Sequence, residues 1–402
     1  MKSVIVAHHH EITLKGNNRR HFENVLAANI RGILKDILPT QSVLGGYGRF
    51  VLPLESDELI VPIADRLCKV FGLANVCAGV EIRQDVGEMC QAADLLLKGR
   101  KFSTIRIETR RPDKSFATRS MDVSREVGAY VCDKYSIRAN MSHPDETIYI
   151  EIVNGVAYVY SAKQNGAGGL PVGVSGKVVS LMSAGFDSPV ASWQMMKRGA
   201  KVIFVHFHSE PYTSPRSVDQ VRTLVEQLTQ YQGESKLLLV PFADVQNEIV
   251  LRSPPPLRII LYRRMMVRIA GEIARREKAE ALVTGEAVGQ VASQTLRNIR
   301  VIDAASEYPI LRPLSGADKE ETLDIARKIG THDISKEPYD DCCSFLAPRA
   351  PETWADLGAA EEAEAKYDIP AMIAKSIESA VKESFRYPHV DNPVEEPERA
   401  TV

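Results

Sequence analysis

Long apolar runs are missing from this sequence: the strongest stretches, Val178 to Met182 and Leu237 to Pro241, fall far short of the ~20 residues a membrane-spanning helix needs. No membrane partner or transmembrane segment is therefore expected. An apolar leader is missing too, since Met1 to Lys15 alternates and carries Glu11 where a signal peptide needs its hydrophobic centre, which predicts folded chain and a cytoplasmic location. Cysteine is sparse. The six, Cys68, Cys77, Cys90, Cys132, Cys342 and Cys343, include no C-x-x-C pair, which excludes a disulfide scaffold and a zinc ribbon. Only the adjacent Cys342 and Cys343 stand out. Neighbouring thiols bridge to each other or share one tetrahedral metal poorly, so they read as reactive thiols in a reducing compartment or as two packed cysteines. A Walker lysine loop is absent as well, because no G-x-x-x-x-G-K-[ST] occurs.

Net charge is nearly absent, at −2 from 50 basic and 52 acidic side chains, but its distribution is uneven. Residues 1–177 hold 23 basic and 19 acidic groups, residues 178–314 hold 17 and 13, and residues 315–402 hold 10 and 20. A basic body with an acidic tail permits a polyanionic partner that the whole-chain value would argue against. The densest basic patch runs from Lys98 to Arg119, with Lys98, Arg100, Lys101, Arg106, Arg110, Arg111, Lys114 and Arg119 against Glu108 and Asp113.

With 402 residues, two or three domains of about 100–200 residues each are expected. Residues 1–55 read as strand, helix, strand: KSVIVA and GRFVLPL are β-like, and Phe22, Val25, Leu26, Ile30, Ile33, Leu34 and Ile37 recur at helical spacing before Pro39. His8, His9 and His10 follow the first strand without metal-ligand spacing and read as a surface strand end. Residues 56–165 form a second α+β unit, with helices near 59–71, 86–99 and 120–135, a strand at 104–108, and strands at 147–152 and 156–161 joined by the hairpin signal Asn154-Gly155. Residues 166–176 are too glycine-rich for a regular element and read as a linker. From 177 to 395, the apolar strands KVVSLMS, KVIFVHF, KLLLVPF and ALVTG alternate with amphipathic helices, the pattern of a doubly wound parallel sheet.

Ligands in such sheets lie beyond the carboxyl ends of the strands. There, Ser183-Ala184-Gly185-Phe186-Asp187-Ser188 follows the first strand and precedes a helix. Small residues let successive N–H groups and the helix N-terminus hold phosphate oxygens, the hydroxyls of Ser183 and Ser188 add donors, and Asp187 suits Mg²⁺. An ordinary helix cap is the alternative reading.

The loop resembles the S-G-G-x-D-S pyrophosphate loop (PP-loop) of adenine-nucleotide α-hydrolases, with Ala184 in place of a glycine; a positive φ there would cost about 1 kcal/mol and displace the phosphates. GAGGLPVGVSGKVVSLMSAGFDSPVASWQMMKRG, VHFHSEPYTS, LYRRMMVRIA, TGEAVGQVASQTLRNI and PYDDCC, in this order, resemble ThiI-type tRNA 4-thiouridine synthases, while EITLKGNNR and RRPDKSF resemble that family's N-terminal ferredoxin-like and RNA-binding THUMP domains. The resemblance spans essentially the whole chain, without the rhodanese domain of longer members, which makes a role in thiamine thiazole synthesis unexpected. It implies ferredoxin-like and THUMP α+β domains followed by an α/β PP-loop domain.

It further implies a cycle in which MgATP adenylates uridine 8 of tRNA and persulfide sulfur replaces O4. Leu181, Met182, Ser183, Gly185, Phe186, Asp187, Ser188, His206, Phe207, Arg263, Gly285 and Gln294 would hold ATP. Asp187 would be catalytic and a magnesium ligand, and Cys343, with Cys342 as alternative, would carry sulfur from a cysteine desulfurase. RNA contacts would fall on Lys15, Arg19, Lys101, Arg110, Arg111, Lys114 and Phe116, and a homodimer is compatible. Two other readings stay open: a tRNA-binding protein with a degenerate nucleotide site, and a PP-loop ligase that installs nitrogen.

Overall fold

One continuous sheet, rather than two, organises the first part of the chain. The computed structural model describes residues 1–39, 43–46, 48–112, 114–339, 342, 346, 348, 350–389 and the backbone of 398–399, and it divides into units Met1–Pro171 and Val172–Val402.

The first unit contains strands β1 (Lys2–His9), β2 (Leu44–Gly46), β3 (Arg49–Pro53), β4 (Leu73–Arg83), β5 (Thr104–Arg110), β6 (Arg138–Ala139), β7 (Glu146–Val153), β8 (Val156–Tyr160) and β9 (Gln164–Asn165). Its helices are α1 (Arg19–Leu34), α2 (Ile60–Leu67), α3 (Val86–Leu97) and α4 (Ser120–Tyr135). The spatial order is β2-β3-β1-β4-β8-β7-β5-β6, with β9 also on β4. Strand β4 is the piece that sequence spacing does not announce, because Ala74, Asn75, Ala78 and Gly79 break up its alternation. Yet it is 11 residues long and central, pairing with β1 along Leu73–Glu81 and with β8 along Gly79–Arg83. Glycine is required at 79: a Cβ there would stand 2.2 Å from the Val159 carbonyl oxygen. Helix α4 buries Val123, Val127 and Val131 on one face against Ile105, Ile107, Ile148 and Ile150, each side chain contributing about 1.5–3 kcal/mol of transfer energy.

The histidines His8 to His10, the first two within β1, differ from the surface strand end expected of them. Only His10 is exposed. His9 Nε2 lies 3.1 Å from Glu23, and His8 Nε2 lies 2.9 Å from Glu151. Glu151 also meets Arg49 at 2.9 Å and accepts the Tyr160 hydroxyl at 2.6 Å. The reason is positional: β1 lies inside the sheet, between β3 and β4, so its end is flanked on both sides.

The second unit contains β10 (Lys177–Leu181), β11 (Lys201–His208), β12 (Glu234–Pro241), β13 (Ala281–Val283), β14 (Ile310–Leu311), β15 (Val381–Arg386) and β16 (Glu398–Arg399). Its helices are α5 (Asp187–Lys197), α6 (Arg216–Gln232), α7 (Ala243–Arg252), α8 (Arg258–Glu277), α9 (Leu296–Asp303), α10 (Lys319–Ile329), α11 (His332–Lys336), α12 (Leu357–Glu364) and α13 (Ile369–Glu378). The order is β14-β13-β10-β11-β12-β15-β16. The first five strands are parallel, as the alternating strand and helix pattern predicts, and β15 and β16 add an antiparallel edge. Strand order reverses around β10, which opens a crevice beyond the ends of β10 and β13. Helix α8 is anchored behind this crevice by the buried Arg264, whose guanidinium holds Glu364 of α12 at 2.7–2.8 Å. The glycine-rich segment read as a linker is tied to the unit on either side: Gly72 N–H donates to Gly168 O at 2.8 Å, and Gly173 N–H to Gly199 O at 2.8 Å.

Candidate active site

The loop between β10 and α5 is closed by two serines. Ser183 N–H donates to Ser188 Oγ at 2.9 Å, and that hydroxyl lies 3.1 Å from Ser183 O. A buried hydroxyl chain, Ser188 O to Ser192 Oγ to Ser180 Oγ with both steps 2.8 Å, ties the first turn of α5 back to β10. The helix N-terminus thus faces the crevice with its positive dipole end. Ala184 is fully buried and is not among the residues with positive φ. Its methyl group introduces no backbone strain, so the displacement of the loop expected from a left-handed residue does not arise.

Gly285, just after β13, has a packing role as well. A Cβ there would lie 2.6 Å from Ser188 N and 2.7 Å from the Asp187 carbonyl carbon. The glycine lets the β13 loop press directly on the start of α5 and so fixes the cradle.

A cavity of about 300 Å³ opens at this junction. Leu181, Met182, Ser183, Gly185, Asp187, Ser188, His206, Phe207, Arg263, Gly285 and Gln294 all line it. Phe186 does not; its ring lies 5.5 Å from that of His332 and 5.2 Å from the Lys319 ammonium. His206 is oriented by a 2.9 Å hydrogen bond between Nδ1 and Met182 O. Gln294 Oε1 is buried without a hydrogen-bond partner, an acceptor that a ligand amino or hydroxyl group would satisfy. Apolar walls beside a cradle of donors suit a purine nucleotide triphosphate.

Sequence reasoning missed several side chains here. Glu286 accepts from Thr284 Oγ1 at 2.9 Å, pairs with Arg312 at 2.8 Å and stands 3.9 Å from Arg263. It follows Gly285 directly, and the T-G-E tripeptide was the available signal. Asp187 is met by Lys319 at 3.2 Å and Gln290 Nε2 at 3.3 Å. Lys319 escapes notice because it sits in D-K-E-E, the charged first turn of α10, where Asp318 and Glu321 form a capping box. Among the described residues no group of three His, Cys, Asp or Glu side chains could hold a metal ion; a single carboxylate beside substrate phosphates is a normal magnesium arrangement.

Cys342 also lines the cavity. Its carbonyl accepts from Gln246 Nε2 at 2.7 Å, and the other end of this buried amide accepts from Ser209. Cys343 lies outside the described residues.

The RNA-contact candidates lie in the first unit. Lys101, Arg110 and Lys114 are exposed, Arg110 beside Glu108 at 3.0 Å. Arg111 instead folds its own loop by donating to Phe116 O and to Thr118 O, and the Phe116 ring packs on the α3/α4 core. The Lys15 ammonium lies 5.5 Å from the Phe22 ring and Arg19 pairs with Glu23 at 2.8 Å. Arg19 also lines a groove of about 720 Å³ with Arg20, Arg31 and Arg49. No described helix is long and apolar enough to cross a membrane.

Family models match three stretches: one described as "Thiamine biosynthesis protein (ThiI)" at residues 173–369, a ThiI ferredoxin-like domain at 4–77, and a THUMP domain at 83–162. A probable tRNA sulfurtransferase of Thermoanaerobacter sp. (strain X514) is 41% identical over 95% of this chain and 100% of its own. Another, of Thermus thermophilus, is 37% identical over 99% and 98%. Among solved structures, a 4-thiouridine synthetase–RNA complex with bound ATP is similar at a TM-score of 0.88, with 33% identity over 96% of this chain and all of that one.

Proposed function

The chain belongs to the ThiI family of tRNA sulfurtransferases, and from that premise we propose that it is an ATP-dependent enzyme that converts uridine at position 8 of tRNA to 4-thiouridine. The observation that carries this reading is the single cavity in which the Ser183–Ser188 loop, Arg263 and Cys342 meet.

ATP is a substrate here, its polyphosphate against the α5 N-terminus and the serine hydroxyls, with Gln294 Oε1 as acceptor for its base or ribose. Magnesium, held by Asp187 and the phosphates, would neutralise charge on the departing pyrophosphate. Lys319, 3.2 Å from the Asp187 carboxylate, is placed to meet the same phosphates. The uridine O4 attacks the α-phosphate and pyrophosphate leaves; Arg263 offsets the charge that develops. The terminal persulfide sulfur then attacks C4 and expels AMP, and an external thiol attacks the carrier's own sulfur, breaking the S–S bond to release 4-thiouridine and leaving a mixed disulfide that a second thiol reduces. Cys342 is our choice for the carrier, supported by its place against the cavity, with Cys343 as the alternative. A cysteine desulfurase as donor, a cytoplasmic location and a homodimer belong to the same proposal. Lys101, Arg110, Lys114 and the Arg19 groove would meet tRNA phosphates, so binding should weaken steeply with salt.

The test is incubation of the pure protein with unmodified tRNA, MgATP, cysteine and a cysteine desulfurase, followed by nucleoside mass analysis and AMP assay. 4-Thiouridine is expected, lost in Asp187→Ala and in Cys342→Ala. A tRNA that is bound but neither adenylated nor thiolated would overturn the proposal, and a normal Cys342→Ala with an inert Cys343→Ala would move the carrier by one residue.

A further inference from the structure

Two tryptophans occur in the chain, and they are placed oppositely: Trp193 is 4% exposed and Trp354 is 72% exposed. Exposure of Trp354 is not the looseness of a mobile tail. Thr295 Oγ1 donates to Thr353 O at 2.9 Å, Asn298 Nδ2 to Glu352 O at 2.8 Å, and Arg297 Nε to Ala355 O at 2.9 Å. In return, Ala355 N–H donates to Asn298 Oδ1 at 2.9 Å, and within the segment itself Trp354 N–H donates to Glu352 Oε1 at 2.8 Å. The Arg297 guanidinium lies 5.8 Å from the indole ring, a cation–π contact. A segment strapped this firmly to α9 holds its largest apolar side chain out in water, where burial cannot account for it.

The strap adjoins the cavity. Asn298, fully buried, also donates to Ala292 O at 2.7 Å, and on either side of Ala292 stand Val291 and Gln294, both lining the cavity. Val291 is itself 52% exposed, and Leu296 is 70% exposed. Between Ala287 and Ile302 the chain carries Arg297, paired with Asp356 of the strap at 3.3 Å, and the exposed Arg300. Apolar surface, cationic groups and the cavity therefore run together.

We propose that Trp354 is a stacking platform for a nucleobase of the RNA substrate adjacent to the uridine that enters the cavity, a proposal that rests on the RNA-thiolating reading above. Extruding a uridine from folded RNA leaves the π-face of its neighbour without a stacking partner. An indole held rigidly on the segment that adjoins the cavity-lining Val291–Gln294 stretch replaces that partner irrespective of base identity, and Arg300 meets a flanking phosphate.

The test uses Trp193→Phe, so that Trp354 is the sole indole, titrated with unmodified tRNA while its emission is followed. Quenching that saturates with binding is expected. In the full thiolation assay, Trp354→Ala should lose about 10- to 100-fold in kcat/KM for tRNA with KM for ATP unchanged, and Trp354→Phe should recover most of the loss. Unchanged emission at saturating tRNA, together with parental kinetics in Trp354→Ala, overturns the proposal while leaving the sulfurtransferase reading intact. A defect seen with a cysteine desulfurase but absent with inorganic sulfide also overturns it, assigning the patch to a protein donor. A parent protein that makes no 4-thiouridine overturns the functional reading and this proposal with it.

Discussion

Two buried carboxylates, Glu151 and Glu286, are each ringed by cations, and they are finished differently. Glu151 has an ion-pair partner on each oxygen: His8 and Tyr160 lie against one at 2.9 and 2.6 Å, and Arg49 lies 2.9 Å from the other without a directed hydrogen bond. Burial pushes its carboxyl up, but His8, Arg49 and Tyr160 together outweigh that and hold it at about 2. Glu286 has one oxygen closed, by Arg312 and Thr284, while Arg263 stands off the other at 3.9 Å, facing the cavity. The first cluster commits its cations to the fold. The second places Arg263 on the wall of the cavity, where an incoming phosphate would meet it.

Substituting the arginine in each cluster gives the widest separation. Arg49→Met should lower unfolding stability by about 3–5 kcal/mol, since it strands a buried carboxylate, with the KM for ATP of the folded fraction unchanged; urea titration and the thiolation assay read the two effects. Equal stability in parent and variant would dissolve the comparison.

Acid sharpens it next. Because the folded-state value of Glu151 lies below its ordinary 4.5, the unfolded chain takes up the proton first as pH falls. The stabilisation is whole above about pH 4.5 and disappears as pH falls through about 2. It amounts to about 3 kcal/mol. Denaturation midpoints followed down this window should fall in the parent, with that component missing from Glu151→Gln.

Gly285→Ala attacks the cradle rather than the charges. A methyl group forced against Ser188 N should cost about 100-fold in kcat/KM through misplacement of the loop, with the far-ultraviolet circular dichroism unchanged; parental turnover would show that the loop tolerates the shift. Smallest is Arg263→Met, expected to raise the KM for ATP about tenfold, the scale of one charge-assisted hydrogen bond, while moving unfolding stability by less than about 1 kcal/mol.

Legibility in the sequence followed local chemistry. The strands of the parallel sheet are unmixed apolar runs, and S-A-G-F-D-S sits at a strand end, so the sheet and its loop could be read directly. Strand β4 could not: its Gly79 is fitted against Val159 and Tyr160 of β8 about 80 residues away, and its Asn75 against His8 of β1, 67 residues away, which no short window contains. Lys319 was hidden for a related reason, since a lysine in a capping turn is ordinary until the fold brings it 132 positions back to Asp187. Gly285 was noticed as a site residue, but its close packing on the start of α5 was not. Arg111 and Phe116 were noticed among the RNA-contact candidates, but not for the hydrogen bond and core packing that hold their segment.

The ferredoxin-like match stops at residue 77 and the THUMP match begins at 83, so the division between them falls within β4. A truncated fragment ending at that division would remove from β8 its hydrogen-bonding neighbour, and one beginning there would do the same to β1, leaving a raw sheet edge prone to self-association. The two modules are accordingly inseparable in the laboratory: residues 1–171 should melt in a single transition and exchange their β4 amide protons last, and any excised half is expected to precipitate.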